Sequence, residues 1–445
     1  MRQTRLLLIA LAFTVLLAGA APSGAEFKVG FATRDISPTK PIPMWGYGAR
    51  HALLSEGVRD PLYAKALVLE AGKDKVAVVG LDIGRGPTEP MMANIRKAIK
   101  ETSGIAYAMI GGSHTHHGPV IELKDEPGKG QGAFDDAVAY VKALETNIID
   151  AINEAAQNAR PAKIGWGSME VEYNRNRQTK IQPKPVDREL AVVRFDDLAG
   201  EPMAILVNFA AHPVNLSIMD RRFSSEYPGQ LKGAVEEALG VHCVFMQGAA
   251  GDLSCNKGPL KTIEAFGQAL ADKVVAIATG IETHAPERPS IKAIEEDFAF
   301  PARLDLFNPL IQGVFQQAFF PEMIAMLDEF PKNTVRPHLT TVLVNGQLAL
   351  VGASGEFFCN HAIRLKERSR VEKTLFFGYC NGHQMYFPTI EATAEGGYGC
   401  DPSVSWVAIG AGEEMMNKAL INIYTLMGKY DRQASLLNMS APGNQ

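Results

Sequence analysis

The chain has 445 residues, 46% of them apolar and 21% charged, which is the composition of a folded protein and excludes a disordered chain or a fibre. Its formal net charge of −5 at pH 7 argues against nucleic acid, or an anionic membrane, as a partner bound through a wide basic surface. Five cysteines are too few for a disulfide scaffold, and because their number is odd at least one has no partner within the chain. At about 150 residues per domain, we expect roughly two to three structural units.

Residues 1–25 have the pattern of a cleavable export signal. Arg2 and Arg5 precede the apolar run Leu6–Leu17, and small residues offer cleavage sites before Glu26. A membrane anchor is the alternative, but a run of about 12 residues is short of the roughly 20 that a bilayer requires. We therefore expect a secreted or periplasmic protein.

Alternating strands and helices follow. The apolar, β-branched runs that predict buried strands are Val76–Leu81, Ala106–Ile110, Ala204–Phe209, Cys243–Met246 and Thr341–Val351, the last being two strands around a turn at Asn345-Gly346. The helical patterns are Glu89–Lys100, Asp135–Ala159, Gly229–Leu239, Lys261–Ile281 and Ala362–Val371. This order predicts an α/β fold with mixed β-sheets flanked by helices.

The segment Pro301–Pro331 is rich in phenylalanine. Two interpretations are open for it, a lid or substrate-facing helix and ordinary packing in the core. Because aromatic side chains at helical spacing usually pack in a core, we favour the second interpretation.

Polar side chains follow four of the predicted strands. They are His114, His116 and His117 after the second strand, His212 after the third, Asp252 and Ser254 after the fourth, and Glu356 after the last. In α/β proteins, binding sites form outside the carboxyl ends of strands, where loops converge. The sequence therefore predicts one active-site cleft built from these strand ends.

Two histidines and a carboxylate suit a hydrolytic zinc site, in which one coordination position stays open for water. If His114-Thr-His116 is extended, its two rings point to one face. The alternatives are plain: the histidine pair can be structural, His212 can be a hydrogen-bonded loop residue, and Glu356 can cap the next helix.

The loop Gly248–Gly251, followed by Asp252 and Ser254, also has two interpretations. Its backbone NH groups can hold an oxyanion or a phosphate, or the segment can be a simple turn in which Asp252 bonds its own backbone. No Gly-Lys-Ser/Thr signature and no G-x-S-x-G elbow occurs here, so a nucleotide P-loop and an α/β-hydrolase nucleophile are disfavoured.

At these residues the chain resembles the neutral ceramidase family, over about residues 27 to 425. The motifs that carry the resemblance, in chain order, are Val29–Pro38, Met44–Tyr47, Ser113–Pro119, Asn208–Pro213, Gly251–Ser254, Gly355–Phe357 and Gly378–Tyr386. The resemblance implies a catalytic domain over residues 26–430, with residues 431–445 as a C-terminal tail. It also implies that the family's C-terminal immunoglobulin-like domain is missing.

The resemblance further implies one Zn²⁺ ion per chain. Its implied ligands are His114, His212, Glu356 and Tyr386. Its implied catalytic residues are Ser254 with Asp252 in the same motif, His116 facing the substrate, Arg175 as the arginine of an Asn-Arg pair that polarises the substrate, and Tyr398 at the scissile amide. His117 and Cys255 depart from the family's usual serine and proline, and neither departure touches a proposed ligand.

The activity that the resemblance implies is hydrolysis of the N-acyl amide of ceramide to a fatty acid and a sphingoid base. The partner is then a ceramide-like lipid amide, with at most peripheral membrane contact and no nucleic acid. Three alternatives stay open: a zinc hydrolase of another lipid amide, ester or small N-acyl compound; a metal-free serine hydrolase using Ser254, Asp252 and a histidine; and a non-catalytic exported zinc-binding protein.

Overall fold

The computed structural model describes residues 26–430. The predicted export signal and the predicted C-terminal tail lie outside this range. The α-helices are α1 Glu89–Ser103, α2 Asp135–Gln157, α3 Glu226–Leu239, α4 Ile263–Thr279, α5 Pro309–Ala318, α6 Cys359–Ser369, α7 Ile390–Glu395 and α8 Ala411–Leu426. Short 3₁₀ helices cover Gly48–Arg50, Pro321–Glu329, Pro331–Asn333 and Tyr398–Cys400. Within the described residues, no helix is both long enough and apolar enough to cross a bilayer.

Three larger sheets form the framework. The first has the strand order Tyr107–Gly112, Asp74–Leu81, Tyr63–Ala71, Phe27–Asp35 and Arg160–Pro161. The second has the order His242–Gln247, Pro202–Phe209, Glu189–Asp196 and Lys163–Glu170. The third has the order Ile291–Asp297, His338–Val344, Leu348–Ala353 and Lys373–Phe377. The two-stranded pairs are Leu253–Cys255 with Asn174–Asn176, Phe300–Pro301 with Thr334–Val335, Glu356–Phe357 with Tyr386–Phe387, and Lys124–Pro127 with Gly130–Gln131.

Each of the three sheets ends in one parallel pair of strands, and the other neighbours in the sheet are antiparallel. The three edges touch through backbone hydrogen bonds, since the Asn381 amide donates to Ile110 and the Gly378 amide donates to Gln247. The carboxyl ends of the parallel strands therefore meet in one place. The predicted α/β class with mixed sheets flanked by helices is confirmed.

Strand alternation explains how the sheets pack. In Pro202–Phe209, the side chain of Leu206 belongs to a core shared by all three sheets, whereas Ile205 and Val207 face α3 and α4. The first sheet packs its outer face on α1 and α2, and the third packs on α6 and α8. Because both faces of the strands are covered, the strands read as continuous apolar runs in the sequence.

Two local predictions can be compared directly with the structure. Asn345 and Gly346 both have positive φ, 53° and 75°, as the predicted two-residue turn requires. In the segment Pro301–Pro331, Phe320 and Phe330 are buried as the core interpretation predicts. Phe315 is only partly buried and lines a pocket, so the interpretation of this segment as a substrate-facing helix stays a prediction.

Candidate active site

His114 follows the strand Tyr107–Gly112 and has a left-handed backbone, with φ of 67°. The extended conformation that the sequence suggested for His114-Thr-His116 is therefore wrong. The two rings still approach each other, with centroids 5.0 Å apart, because the chain turns at His116. His114 Nδ1 lies 2.7 Å from the Gly84 carbonyl oxygen. A carbonyl only accepts, so Nδ1 carries the hydrogen and Nε2 keeps its lone pair.

His212 is held in the same way by the loop after His242–Gln247. Its Nδ1 lies 2.6 Å from the Ala250 carbonyl oxygen, and its Nε2 lies 2.9 Å from His114 Nε2. Burial, with the nearby charges of Arg177 and His114, lowers the pKa of His212 to about 3. The ring is therefore neutral near pH 7, as a metal ligand must be.

Glu356 places a carboxylate against both rings. Its Oε2 lies 3.3 Å from each histidine Nε2, and no hydrogen-bond donor in the described protein satisfies that oxygen. Its Oε1 accepts a hydrogen bond of 3.1 Å from His383 Nε2. Burial would raise the pKa of Glu356, but His114, His212 and His383 hold it well below its usual value. An unsatisfied carboxylate oxygen facing two nitrogen lone pairs fits a divalent cation such as Zn²⁺.

Tyr386 completes the predicted ligand set. It lies directly opposite Glu356 in the parallel pair Glu356–Phe357 and Tyr386–Phe387, so both side chains leave the same face. Its hydroxyl oxygen accepts a hydrogen bond of 3.3 Å from Arg177 Nη2, which also lies 3.1 Å from His212 Nε2. The structure thus brings together the four ligands that the resemblance implied.

Arg175, the predicted substrate-polarising arginine, does not contact this cluster. Its side chain is exposed on the strand Asn174–Asn176. Arg177 contacts the cluster instead, and also donates to the Gly251 carbonyl at 3.0 Å. The chain contains two successive Asn-Arg pairs, and the motif was matched to the first. In the structure, the arginine of the second pair is the one that contacts His212 and Tyr386.

Ser254 lies beside His212, to which it is joined by a parallel β-bridge. Its Oγ is buried and has no hydrogen-bond partner. Asp252 is also buried, but it accepts from the Cys359 amide and from Asn176 Nδ2, both at 2.7 Å. No histidine is among its hydrogen-bond partners in the described chain, so the Asp-His-Ser relay of the metal-free alternative is not formed. Asp252 instead connects its own loop with the segments that carry Cys359 and Asn176.

A pocket of about 110 Å³, open to solvent, is lined by two of the predicted metal ligands, Glu356 and Tyr386. Apolar side chains supply most of its lining, namely Met44, Val120, Phe315, Phe319, Met323, Met326 and Trp406. Tyr398 is 64% exposed, lines the same pocket and meets Tyr386 edge-on at 5.8 Å. The chemistry-bearing groups are therefore next to a cavity suited to an alkyl chain.

His116 also lines this pocket. Its Nε2 lies 3.4 Å from His114 Nε2, and its Nδ1 has no partner. Burial and the neighbouring His114 and His212 lower its pKa well below the usual value, so the ring is an uncharged proton acceptor near pH 7. Gly46 makes room for the ring: with φ of 103°, a Cβ there would lie 2.6 Å from the His116 side chain.

Two residues at the site were not singled out from the sequence. His383 lies within the motif Gly378–Tyr386, and its ligand atom is near those of His114 and Glu356. The ring of Trp45 meets His114, His116 and His383 edge-on at 5.2, 5.4 and 5.5 Å. Both residues lie inside motifs that carry the family resemblance, Gly378–Tyr386 and Met44–Tyr47. That position is the sequence signal that could have identified them as site residues.

The two departures from the family pattern contact residues around the site, and the described contacts do not involve the side chain of a proposed ligand. His117 Nε2 lies 2.7 Å from Arg50 Nη2 and accepts from it, while Cys255 Sγ donates to the His212 carbonyl. All five cysteines are buried and unpaired. The substitutions therefore support the loops that carry His116 and His212.

Comparison with known proteins places this geometry in context. The family model described as neutral/alkaline non-lysosomal ceramidase, N-terminal, matches residues 27–269. A solved structure titled as a ceramidase complexed with C2 superposes with a TM-score of 0.73 at 16% identity, covering 91% of this chain and 76% of that chain. The neutral ceramidase from Pseudomonas aeruginosa superposes with a TM-score of 0.72 at 16% identity, covering 91% of this chain and 75% of that chain. At this identity, the superpositions show a shared fold.

Proposed function

Since the chain belongs to the neutral/alkaline non-lysosomal ceramidase family, we propose that it is a zinc-dependent amidohydrolase that cleaves the N-acyl amide of ceramide-like lipids. The products are a fatty acid and a sphingoid base. One observation carries the proposal: two imidazole Nε2 atoms and a carboxylate oxygen without a donor face one another beside an apolar pocket.

His114, His212, Glu356 and Tyr386 are the residues that would hold the metal ion. Nitrogen and oxygen ligands of this kind suit Zn²⁺, and the carbonyls of Gly84 and Ala250 orient the two imidazoles, as outer-shell partners do in zinc enzymes. When bound, the ion supplies a Lewis acid for the amide oxygen and lowers the pKa of a bound water toward roughly 7.

The remaining groups have roles that follow from their positions. Arg177 is a fixed positive charge next to Tyr386, where it stabilises negative charge that develops on the amide oxygen, and Tyr398 offers a hydroxyl at the same pocket. His116 is uncharged and can accept a proton and pass it to the departing amine. Ser254 Oγ has no partner within the protein, so it is free to attack or orient the amide.

The substrate assignment rests on the pocket beside the metal ligands. Its lining by Phe315, Phe319, Met323 and Trp406 favours an alkyl chain over a peptide or sugar, because polar substrates would leave their hydrogen-bonding groups unsatisfied there. A lipid amide presents both the scissile bond and the apolar chain.

The proposal is tested by measuring bound metal and hydrolysis of a fluorescent ceramide in the same preparation. We expect about one zinc ion per chain, loss of turnover with a chelator and recovery on adding zinc. Activity that survives in a metal-free preparation would refute the metal mechanism. Turnover of other N-acyl amides or esters without turnover of any ceramide would refute the substrate.

We also propose that the protein acts outside the cytoplasm, in the periplasm or as a secreted enzyme. The basic and apolar pattern of residues 1–25 supports this proposal. Mass spectrometry of the protein recovered from its host would show an N-terminus near Glu26, and an intact N-terminus on a cytoplasmic protein would contradict export.

A further inference from the structure

Helix α5 is apolar on two faces and lies at the protein surface. No residue of the helix is buried, and the stretch from Leu306 to Pro321 contains no Asp, Glu, Lys or Arg. Phe315 lines the pocket on one face, whereas Leu310 and Val314 are 79% and 66% exposed. Because residues four apart lie on the same side of a helix, Leu310 and Val314 form one apolar stripe toward solvent. The apolar face of an amphipathic helix is normally covered, whereas this stripe is exposed in the described chain.

Further exposed apolar side chains lie on a segment that contacts the end of α5. The segment that begins with Gly48–Arg50 packs on the end of the helix, since His51 Nδ1 lies 2.7 Å from the Phe319 carbonyl oxygen. Leu53 and Leu54, a few residues later, are exposed. We call the side chains of Leu53, Leu54, Leu310 and Val314 the apolar rim. The elements that carry the rim also line the pocket, through His51 and Phe315.

We infer that the apolar rim is the surface by which this enzyme docks on a lipid bilayer, an inference that rests on the proposed lipid amide substrate. A lipid chain that passes from a bilayer to the pocket moves from one apolar environment to another. The rim lets the alkyl chain of the lipid move to the pocket without contacting water. Removal of apolar surface from water is the main driving force for apolar association. Exposed apolar side chains grouped around the mouth of an apolar pocket are also typical of membrane interaction sites.

The character of the lipid surface follows from the charges. The rim residues are uncharged, and the whole chain has a formal net charge of −5. Attraction to anionic headgroups therefore contributes little, and insertion of apolar side chains supplies the affinity. We expect binding to zwitterionic phosphatidylcholine vesicles, with little change between low and high salt.

The test compares the full-length protein with the double variant Leu310→Ser/Val314→Ser. The wild type should cosediment with phosphatidylcholine vesicles, and the affinity of the double variant for the vesicles should be lower by at least about tenfold. The reason is that each inserted aliphatic side chain contributes free energy in proportion to the area it buries. Leu198→Ser is the matched control. Leu198 is 54% exposed in the hairpin turn at the amino end of Pro202–Phe209, whereas His212 follows the carboxyl end of that strand.

A second measurement separates this inference from the proposed function. Hydrolysis of a water-soluble short-chain N-acyl substrate should be unchanged in the double variant, while hydrolysis of a long-chain ceramide in vesicles should fall with binding. Reduced vesicle binding supports the docking surface even if neither substrate is cleaved, in which case only the proposed function fails.

Three results would overturn the docking surface. They are equal vesicle binding by the wild type and the double variant, binding that disappears at high salt, and a concentration-dependent dimer in solution that the double variant abolishes. The last result would assign the rim to a second copy of the chain.

Discussion

His114 Nε2 and His212 Nε2 lie 2.9 Å apart, and the Nδ1 atom of each ring donates to a backbone carbonyl. Two lone pairs therefore point at each other inside the protein, with Glu356 Oε2 3.3 Å from both nitrogens. Arg177 Nη2, 3.1 Å from His212 Nε2, offers positive charge to one of these atoms, and a bound divalent cation would satisfy all three.

Glu356→Ala should lose bound metal and hydrolysis while keeping its fold. The substitution removes the negative ligand and leaves two neutral imidazoles, which hold a divalent ion weakly. Metal content by mass spectrometry and turnover of a fluorescent ceramide measure the effect. Glu372→Ala is the control, since that exposed carboxylate contacts Gln347 away from the site. Full metal occupancy in the Glu356 variant would contradict the assignment.

His383→Ala should weaken metal affinity by about 10–100-fold, the usual effect of removing an outer-shell partner. The reason is that His383 Nε2 holds Glu356 Oε1 at 3.1 Å and so directs Oε2 toward the two histidines. Competition with a chromophoric chelator measures the affinity. His383→Gln, which retains a donor, should recover part of it. Unchanged affinity in the alanine variant would mean that His383 only fills space.

Arg177→Gln should reduce kcat about 10²–10³-fold, the range seen when one donor to a developing oxyanion is removed. Arg175→Gln is the matched control and should have a much smaller effect, because Arg177 is the arginine that contacts His212 and Tyr386. Kinetics on the two variants decide between the successive Asn-Arg pairs. A large loss in Arg175→Gln with a small loss in Arg177→Gln would restore the sequence-based assignment.

Ser254→Ala should retain metal and lose at least about a hundredfold in turnover, whether the hydroxyl attacks or positions the amide. Its Oγ is buried without a partner, so the substitution breaks no hydrogen bond within the protein. A trapped acyl-serine would identify a nucleophile, whereas ¹⁸O passing from water directly into the acid would identify a positioning role. Near-normal turnover would remove Ser254 from the mechanism.

The stability of the metal-free protein should fall as the pH is lowered from 7 to 5. An unfolded histidine takes up a proton near pH 6.5, whereas burial, Arg177 and His114 lower the pKa of folded His212 to about 3. Between these values the unfolded state binds the extra proton, so acid favours unfolding by up to about 1.4 kcal/mol per pH unit for one such group.

Urea unfolding at pH 7 and pH 5, in the presence of a chelator, measures this dependence. His212→Asn removes the titrating group and should show a shallower loss of stability than the wild type. An equal or steeper loss in the variant would show that other groups control the acid sensitivity.

Several features were predictable because they depend on local pattern. Apolar β-branched runs predicted the strands that end at the site, and the Asn345-Gly346 pair predicted its turn. Since the carboxyl ends of parallel strands converge, the polar residues after them, His114, His212 and Glu356, were expected to meet. Tyr386 was reached only through the family resemblance.

Other features depended on how distant segments pack. The path of the chain past Gly251 decides which arginine, Arg175 or Arg177, contacts the ligands. The sequence does not reveal this path, because both arginines follow an asparagine. The role of His383 depends on its contact with Glu356, and the two residues follow neighbouring strands of the third sheet.

By itself, the sequence determined which segments become strands and helices and which residue types stand at the strand ends, because these follow from side-chain periodicity and turn chemistry. Only the tertiary structure decided which arginine, which additional histidine and which face of α5 belong to the site. The direction of a side chain is set by the packing of three sheets and by single backbone conformations such as that of His114. Those depend on contacts between residues that are far apart in the chain.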